Sequence, residues 1–332
     1  MHILKDTNYD FIRWRMQALA LSWIIILAGL VTIAVRGIPK GVEFSGGTIV
    51  IAKFDRMPSV QQVRSALDRS FPGGNTIVQT YGGVADREVM VRVPQVGAES
   101  GGKLSQTAEI VVSALKQASL GNFTVVGTEI VGPIVGKELT RKGILATVLS
   151  LVGILAYIAF RFQFSFAVGA VVATVHDLLV TLAFLAFFRY DLSLNVVAAI
   201  LTVTGYSTND TIVIFDRVRE NLRSMRRDSL NEVVNKSVNQ TLGRTVITAG
   251  TTLLSAIALF LFGGEVLRGF AFTMIVGVVT GTYSSVFVAS AIVTLWRRRT
   301  AAARAAVTPA QSSTPSQAAV RARRKSSKAR AS

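Results

Sequence analysis

The chain has 332 residues, half of them apolar, with a formal net charge of +17 and no cysteine. Six apolar segments approach the roughly 20 residues that a membrane-spanning helix needs, and a single soluble domain would not bury six such segments. The absence of cysteine excludes disulfides and thiolate zinc ligands. We therefore expect an α-helical polytopic membrane protein with six transmembrane helices.

The first predicted span, residues 17–35, follows an N-terminal segment, 1–16, that carries Lys5, Arg13 and Arg15. A basic segment before an apolar one is also typical of a secretory signal. This apolar run is longer than a usual signal core, however, and no small-x-small cleavage site follows it. We interpret it as an uncleaved anchor.

Residues 36–141, between spans one and two, alternate strand and helix patterns. The patterns follow one another as strand, helix, strand, strand, helix and strand, at residues 48–54, 59–71, 75–81, 87–94, 105–120 and 123–130. This order is that of a ferredoxin-like unit. Because nothing in the segment resembles a catalytic constellation, we expect an exported binding or mechanical domain.

The other five spans lie within residues 142–296. They are predicted at 143–160, 166–188, 194–215, 246–262 and 270–295. The loop 216–243 is rich in basic residues and contains an amphipathic pattern, which predicts a helix at the cytoplasmic surface. Since lysine and arginine concentrate before span one, in this loop and after span six, both termini should be cytoplasmic, with residues 36–141 outside.

The basic C-terminal tail, residues 297–332, holds ten lysines and arginines and no acidic residue, so it supplies +10 of the net charge. Its other residues are typical of disorder. We expect it to lie near anionic lipid headgroups, with contact to ribosomal RNA or to an acidic partner protein as the alternative. No other nucleic-acid binding is expected.

Asp210 stands inside the otherwise apolar fourth span. A carboxylate in a membrane costs several kcal/mol and is expected to face a protein partner or a water-filled path. Thr202, Tyr206 and Asn209 share its polar stripe at helical spacing. This pattern favours a chain that moves or couples ions.

Three other spans carry polar stripes. Arg244 and Thr248 begin the stripe of span five, where Arg244 either snorkels to the interface or pairs with Asp210 at a comparable depth. In span three, His176 and Asp177 are either functional or a structural hydrogen-bonded pair. Close helix packing best explains the small residues of span six. These are Gly269, Thr273, Gly277, Thr280, Gly281 and Ser284.

Enzyme motifs are scarce. Residues 132–137 are one residue short of a phosphate-binding loop, and Glu138 replaces the required hydroxyl residue. His176 is the only internal histidine, which excludes a histidine-rich metal site. We expect no enzyme activity, nucleotide site, metal or other cofactor, so that work must come from an ion gradient or a partner.

Five motifs occur in order between residues 44 and 245. They are Phe44-Ser-Gly-Gly47 (with Gly46 and Gly47), residues 131–139 (with Gly132, Pro133 and Gly136), His176-Asp177, residues 205–221 and residues 239–245. Together they resemble the SecF members of the SecD/SecF family, which belongs to the RND superfamily.

The resemblance implies an accessory subunit of the bacterial Sec translocase. It would pair with SecD, associate with the SecYEG channel and use the proton motive force to assist preprotein export. The fold would be half of an RND-type twelve-helix unit. Asp210 and Arg244 match the proton-relay positions of the family. The supporting intramembrane polar residues would be Tyr206, Asn209, His176, Asp177 and Thr248.

Two other functions share some of these features. A proton-coupled exporter of small molecules would carry similar intramembrane charges, but it would normally have both halves in one chain and a larger exported region. A non-transducing assembly factor would share the topology without needing Asp210.

Overall fold

The computed structural model describes residues 7–71, 76–82, 86–94, 101–161 and 164–295, so the predicted basic tail lies outside the described residues. The first elements are α1 (Phe11–Arg36), α2 (Val42–Ser45), β1 (Gly47–Phe54), α3 (Val60–Asp68), β2 (Ile77–Tyr81), β3 (Glu88–Pro94), α4 (Gly101–Gln117) and β4 (Phe123–Val131). The others are α5 (Pro133–Arg161), α6 (Phe164–Phe187), α7 (Leu194–Ser224), α8 (Leu230–Phe262) and α9 (Gly264–Ser284), followed by a π-helical turn, Ser285–Ala289.

In the described part of the segment between α1 and α5, four strands form one antiparallel sheet in the order β2-β3-β1-β4. On β1, Thr48 lies opposite Val93 of β3 and Ile130 of β4. One face of the sheet packs against α3 and α4. The buried side chains between them include Val50, Val63, Leu67, Val89, Val91, Val111 and Leu115. The segment therefore has an apolar core of its own.

The sheet is tied to the loop between α6 and α7. Arg92 on β3 is 6 % exposed, forms an ion pair with Asp191 and donates a hydrogen bond of 3.0 Å to the Lys40 carbonyl. The Gly41 N–H donates to the Leu192 carbonyl at 2.7 Å. These bonds fix the sheet against one end of the helices.

Among the described residues, five helices are long and apolar enough to cross a membrane. They are α1, α5, α6, α8 and the unit Val266–Leu295, which contains most of α9 and its π-helical turn. Helix α7, which contains the predicted fourth span, has 31 residues but is not among them. Its many hydroxyl residues, together with Asn209 and Asp210, make it less apolar than its neighbours. The predicted count of six spans thus depends on α7 and stays a prediction.

Two elements that the sequence pattern separates form one helix. The predicted surface helix of loop 216–243 and the predicted fifth span both belong to α8, which runs unbroken over 33 residues. No proline interrupts it, and Ser229 and Glu232 form a capping box at its start. Since α7 extends to Ser224, most of the predicted loop is helical.

Helix α9 packs against α6, α7 and α8. A Cβ placed on Gly277 would lie 2.4 Å from the methyl carbons of Val203, and one on Gly281 would lie 2.9 Å from the Ser207 Cβ. Glycine at these two positions lets α9 approach α7 more closely than any side chain would allow. This approach sets the positions of the polar side chains on both helices.

Candidate functional site

Asp210 is buried on α7 and is held from two neighbouring helical segments. The Thr245 hydroxyl of α8 donates to its Oδ1 at 2.8 Å, and the Ser285 hydroxyl, at the start of the π-helical turn, donates to its Oδ2 at 2.6 Å. Asp210 as a whole residue is 7 % exposed. Both of its oxygens are therefore satisfied by neutral donors.

Arg244 is close to this carboxyl group along α8 but does not contact it. Its side chain is exposed, and the ion pairs of the described residues, taken to 4.0 Å, do not include one between Arg244 and Asp210. The adjacent residue, Thr245, makes the contact instead. The expected buried ion pair is thus absent in this arrangement of the described helices, and the relay role of the two residues stays a prediction.

Asp177 forms a second buried site on α6, at 2 % exposure. His176 Nδ1 lies 2.9 Å from its Oδ1, and the hydroxyls of Ser207 on α7 and Ser284 on α9 both donate to its Oδ2, the latter at 2.7 Å. Like Asp210, it joins three elements through one carboxyl group. Unlike Asp210, it has an imidazole as partner.

The other predicted supporting residues are less buried than Asp210. Tyr206 is half-buried, whereas Asn209 and Thr248 are exposed. The Thr248 hydroxyl donates back to the carbonyl of Arg244 in its own helix. The residues of the predicted polar stripe on α7 therefore do not share one environment, because Asp210 is buried and Asn209 is exposed.

The two glycine motifs outside the helical spans meet in space. Gly136 is buried near the start of α5, and a Cβ there would lie 3.2 Å from the carbonyl oxygens of Glu43 and Phe44. Gly46 and Gly47 have φ angles of 74° and 133°, a region that favours glycine. Pro133 is the first residue of α5, where its missing N–H costs nothing, and Gly132 immediately precedes it. These motif residues shape the junction of sheet and helices and carry no chemistry of their own.

Four hydroxyl residues donate hydrogen bonds to the two carboxyl groups, and the sequence pattern does not identify them as donors. Ser284 was assigned to packing, and its hydroxyl in fact donates to Asp177. Ser207, Thr245 and Ser285 lie beside predicted residues along the chain, but their spacing alone does not show which helix they face. The adjacent pair Ser284-Ser285 within an apolar span was the available signal.

Both sites have a carboxyl group that could bind a proton. No cluster of metal-ligating side chains occurs in the described ranges. A hydroxyl group both donates and accepts, so it hydrogen-bonds a carboxylate as a donor and a protonated carboxyl group as an acceptor. Each site thus keeps its partners in either protonation state.

Comparisons with known proteins identify the family of the chain. A family model described as "Protein export membrane protein SecD/SecF, C-terminal" matches residues 110–299. The protein translocase subunit SecF of Rhodothermus marinus is 41 % identical over 311 residues, which cover 92 % of this chain and 98 % of the relative. The SecF subunit of Escherichia coli O157:H7 is 40 % identical over 286 residues, which cover 86 % of each chain.

The fold is also similar to a solved structure. The crystal structure of SecDF, a translocon-associated membrane protein from Thermus thermophilus, aligns with a TM-score of 0.79 at 33 % identity. The alignment covers 90 % of this chain but only 40 % of the SecDF chain. From the family match and the two relatives, the chain belongs to the SecD/SecF family of protein export membrane proteins and is a SecF-like translocase subunit.

Proposed function

We propose that this chain couples the proton motive force to preprotein export, as the SecF half of a complex with SecD at the SecYEG channel. The observation that carries the proposal is the setting of Asp210, a buried carboxyl group among membrane-spanning helices that is held by neutral hydroxyls. The chain would work without nucleotide, metal or other cofactor and would not act as an enzyme.

The role of Asp210 follows from its contacts. The ionised carboxylate accepts from Thr245 and Ser285, and the protonated group donates its own O–H to one of the same oxygens. Because one proton changes the buried charge without removing a partner, uptake and release bias the packing of α7 against α8 and α9. Moving one charge through 100 mV supplies roughly 2.3 kcal/mol for such a step.

Arg244 is placed to act in the alternate state. It precedes Thr245 on α8, so a rotation of α8 about its axis would exchange the threonine hydroxyl for the guanidinium beside Asp210. A charge-assisted hydrogen bond is about twice as strong as a neutral one. Arg244 would therefore stabilise the ionised carboxylate after proton release. Tyr206, Asn209 and Thr248, which are less buried than Asp210, would line the path by which the proton arrives.

The exposed faces of the helices support a partner. Only 6 % of the most apolar stretch of α5 and 11 % of that of α8 is buried in this chain. Asn209 on α7 and Arg244 on α8 are exposed polar residues, for which contact with lipid would be costly. With α7 as the sixth span, the chain would form half of an RND-type twelve-helix unit, and SecD would supply the other half.

The sheet with α3 and α4 would be a ferredoxin-like domain on the outer face of the inner membrane. Its strand order and the two helices between its strands support this assignment. Both termini would then be cytoplasmic, as would the turn between α7 and α8. The ion pair of Arg92 with Asp191 would transmit movement of the helices to this domain.

The test is preprotein translocation into inverted membrane vesicles that contain the full complex, with and without an imposed proton gradient. Asp210→Asn keeps the size and hydrogen bonding of the side chain but removes the proton site. We expect the variant to assemble with SecD and to lose the stimulation by the gradient. Arg244→Lys keeps the charge but loses the planar fork, so it should retain only part of the stimulation.

The matched control is Asp228→Asn, which makes the same change in the exposed turn between α7 and α8 and should respond to the gradient like the unchanged chain. A full response by an assembled Asp210→Asn complex would contradict proton coupling and favour a non-transducing assembly factor. Gradient-driven efflux of small molecules without any effect on preprotein export would favour an exporter.

A further inference from the structure

Two adjacent serines connect the two buried carboxyl groups. Ser284 donates to Asp177 on α6 at 2.7 Å, and Ser285, the next residue, donates to Asp210 on α7 at 2.6 Å. The two serines, the two carboxyl groups and His176 thus form one connected polar cluster. The cluster lies where α9 passes into the π-helical turn, and such turns occur often at functional sites.

Both serine hydroxyls have the Gly281 carbonyl as a second acceptor, and that of Ser285 also lies 3.1 Å from the Thr282 carbonyl. The Gly281 carbonyl lies 3.1 Å from the Ser284 hydroxyl and 2.9 Å from that of Ser285. It also accepts the backbone N–H of Ser285. A carbonyl oxygen has two lone pairs. Once the N–H occupies one of them, only one serine hydroxyl can turn to this carbonyl at a time.

This competition couples the charge states of the two carboxyl groups. When Asp210 takes up a proton on Oδ2, its O–H donates to the Ser285 oxygen, and the hydroxyl hydrogen of Ser285 turns to Gly281. Ser284 must then stay on Asp177, and its bond favours the ionised form there. When Asp177 is protonated and Ser284 turns to Gly281, Ser285 keeps its bond to Asp210 or takes the longer one to the Thr282 carbonyl. The serine pair therefore favours one charged and one neutral carboxyl group.

His176 gives the Asp177 site a place to bind its proton. The imidazole is 8 % exposed, its Nδ1 faces Asp177, and its Nε2 has no hydrogen-bond partner among the described residues. With the Nδ1–H donating to the carboxylate, Nε2 carries a free lone pair. A proton added there, from water, lets the Nδ1 proton pass to Asp177 Oδ1, which leaves a neutral imidazole beside a protonated carboxyl group.

The other ionisable groups around the Asp177 site are few in the described part of the chain. Tyr283 of α9 stacks on His176 with the ring centroids 6.4 Å apart, and its hydroxyl donates to the Ala18 carbonyl of α1. From α7 the facing group is Asp210, reached through the serines, with Tyr206 and, on α8, Arg244 lying beyond it. The π-helical turn and α1 offer only neutral groups, such as Ser22.

We propose that Asp177 and His176 form a second proton-holding site, and that Ser284 and Ser285 link its protonation to that of Asp210. The proposal rests on the proposed function only in taking Asp210 as a group that exchanges protons. The new elements are a second site on α6 and a coupling of the two protonation states through the Gly281 carbonyl of α9. The two carboxyl groups should then titrate as a coupled pair.

The experiment is a pH titration of the full-length chain, bound to SecD in lipid nanodiscs, by infrared difference spectroscopy of the protonated carboxyl stretch. The unchanged complex should show two buried carboxyl steps separated by more than about one pH unit. Asp177→Asn and Asp210→Asn should each remove one step, and Asp228→Asn should keep both. His176→Gln should move the step that Asp177→Asn removes.

The double variant Ser284→Ala, Ser285→Ala should bring the two steps closer together. Two steps with unchanged separation in this variant would overturn the coupling, and a spectrum of Asp177→Asn that keeps both steps would overturn the second site. A single step in the unchanged complex would overturn the proposal even if every variant failed to fold. Since this measurement does not use export, its failure is distinct from a failure of Asp210→Asn to abolish gradient stimulation.

Discussion

Helices α6 and α8 have the same mean hydropathy over their most apolar stretches, yet 56 % of that stretch is buried in α6 and only 11 % in α8. Their side chains explain the difference. Alanines and hydroxyl residues of α6 pack against its neighbours, including Ala167, Ala170, Ala173, Thr174 and Thr181. The membrane part of α8 exposes large apolar groups, with Leu254 at 68 % and Phe262 at 86 %.

The comparison shows that hydropathy does not distinguish the inner helices from the outer ones. Lipid and a protein interior are equally apolar, so small size and internal hydrogen bonding mark the buried faces. The inner set is α6, which carries Asp177, and α9 with its π-helical turn, which carry the two serines that bridge the carboxyl groups. The outer set is α5 and α8, whose exposed faces would contact SecD in our proposal. Substitutions that are equal in chemistry but differ in location test this division.

The largest difference is expected between Gly277→Leu and Gly250→Leu. A Cβ at Gly277 in α9 would lie 2.4 Å from two carbons of Val203, whereas nothing lies within 4 Å of a Cβ at Gly250 in α8. The first change should cost about 3 kcal/mol or more of stability. The second should gain up to about 1 kcal/mol, because leucine has the higher helix propensity.

Unfolding of the purified chain in detergent, followed by circular dichroism against denaturant, measures both values. Equal effects of the two variants would show that α9 is no more tightly packed than α8. Bound to SecD, the Gly250 variant should also weaken the complex if the outer face of α8 forms the interface, whereas in the isolated chain it should not.

A smaller difference is expected between the two faces of α8 itself. Thr245→Val removes the hydroxyl that donates to Asp210, while Thr248→Val removes one that donates only to its own helix backbone. The two replacements have the same shape and similar helix propensity. We expect a cost of about 1–3 kcal/mol at residue 245, where a buried carboxyl group loses a partner, and less than about 0.5 kcal/mol at residue 248. The same denaturant titration compares them. A larger cost at residue 248 would show that the face of α8 with Thr248, and not the face with Thr245, packs against the other helices.

The sequence was sufficient for some of these features and insufficient for others, for a physical reason. Helical spacing and apolar length predicted the existence of α7 and the placement of Asp210 within it, because both depend on local periodicity. Which hydroxyls would reach the carboxyl group depends on how each helix is rotated about its axis, and that is set by contacts such as Gly277 with Val203. Arg244 and Thr245 are neighbours in sequence, and only packing decides that the threonine faces Asp210.

The alternating strand pattern likewise predicted the sheet and its two helices. The link of Arg92 with Asp191, residues separated by 99 positions along the chain, could not be predicted from any local pattern. The continuity of α8 was missed because an amphipathic segment and an apolar one differ in surroundings and need not differ in conformation.

The smallest predicted effect concerns how an outer helix begins. Ser229 accepts a hydrogen bond from the Glu232 N–H at 3.3 Å, and the Glu232 carboxylate accepts the Ser229 N–H at 2.8 Å. The inner helix α9 has no side-chain cap at Gly263. The first turns of α8 are also packed, with Val233 and Val234 each 1 % exposed, so the capping box adds to this packing. Ser229→Ala should destabilise that turn by about 1 kcal/mol, which corresponds to roughly fivefold faster amide hydrogen exchange there.

Exchange measured by mass spectrometry on peptides from the start of α8 tests this prediction. Glu232→Gln, which keeps the reciprocal hydrogen bond, is the milder control. Unchanged protection in Ser229→Ala would mean that packing, and not the cap, holds the start of α8. The difference between α8 and the inner helices would then be confined to the membrane part of α8.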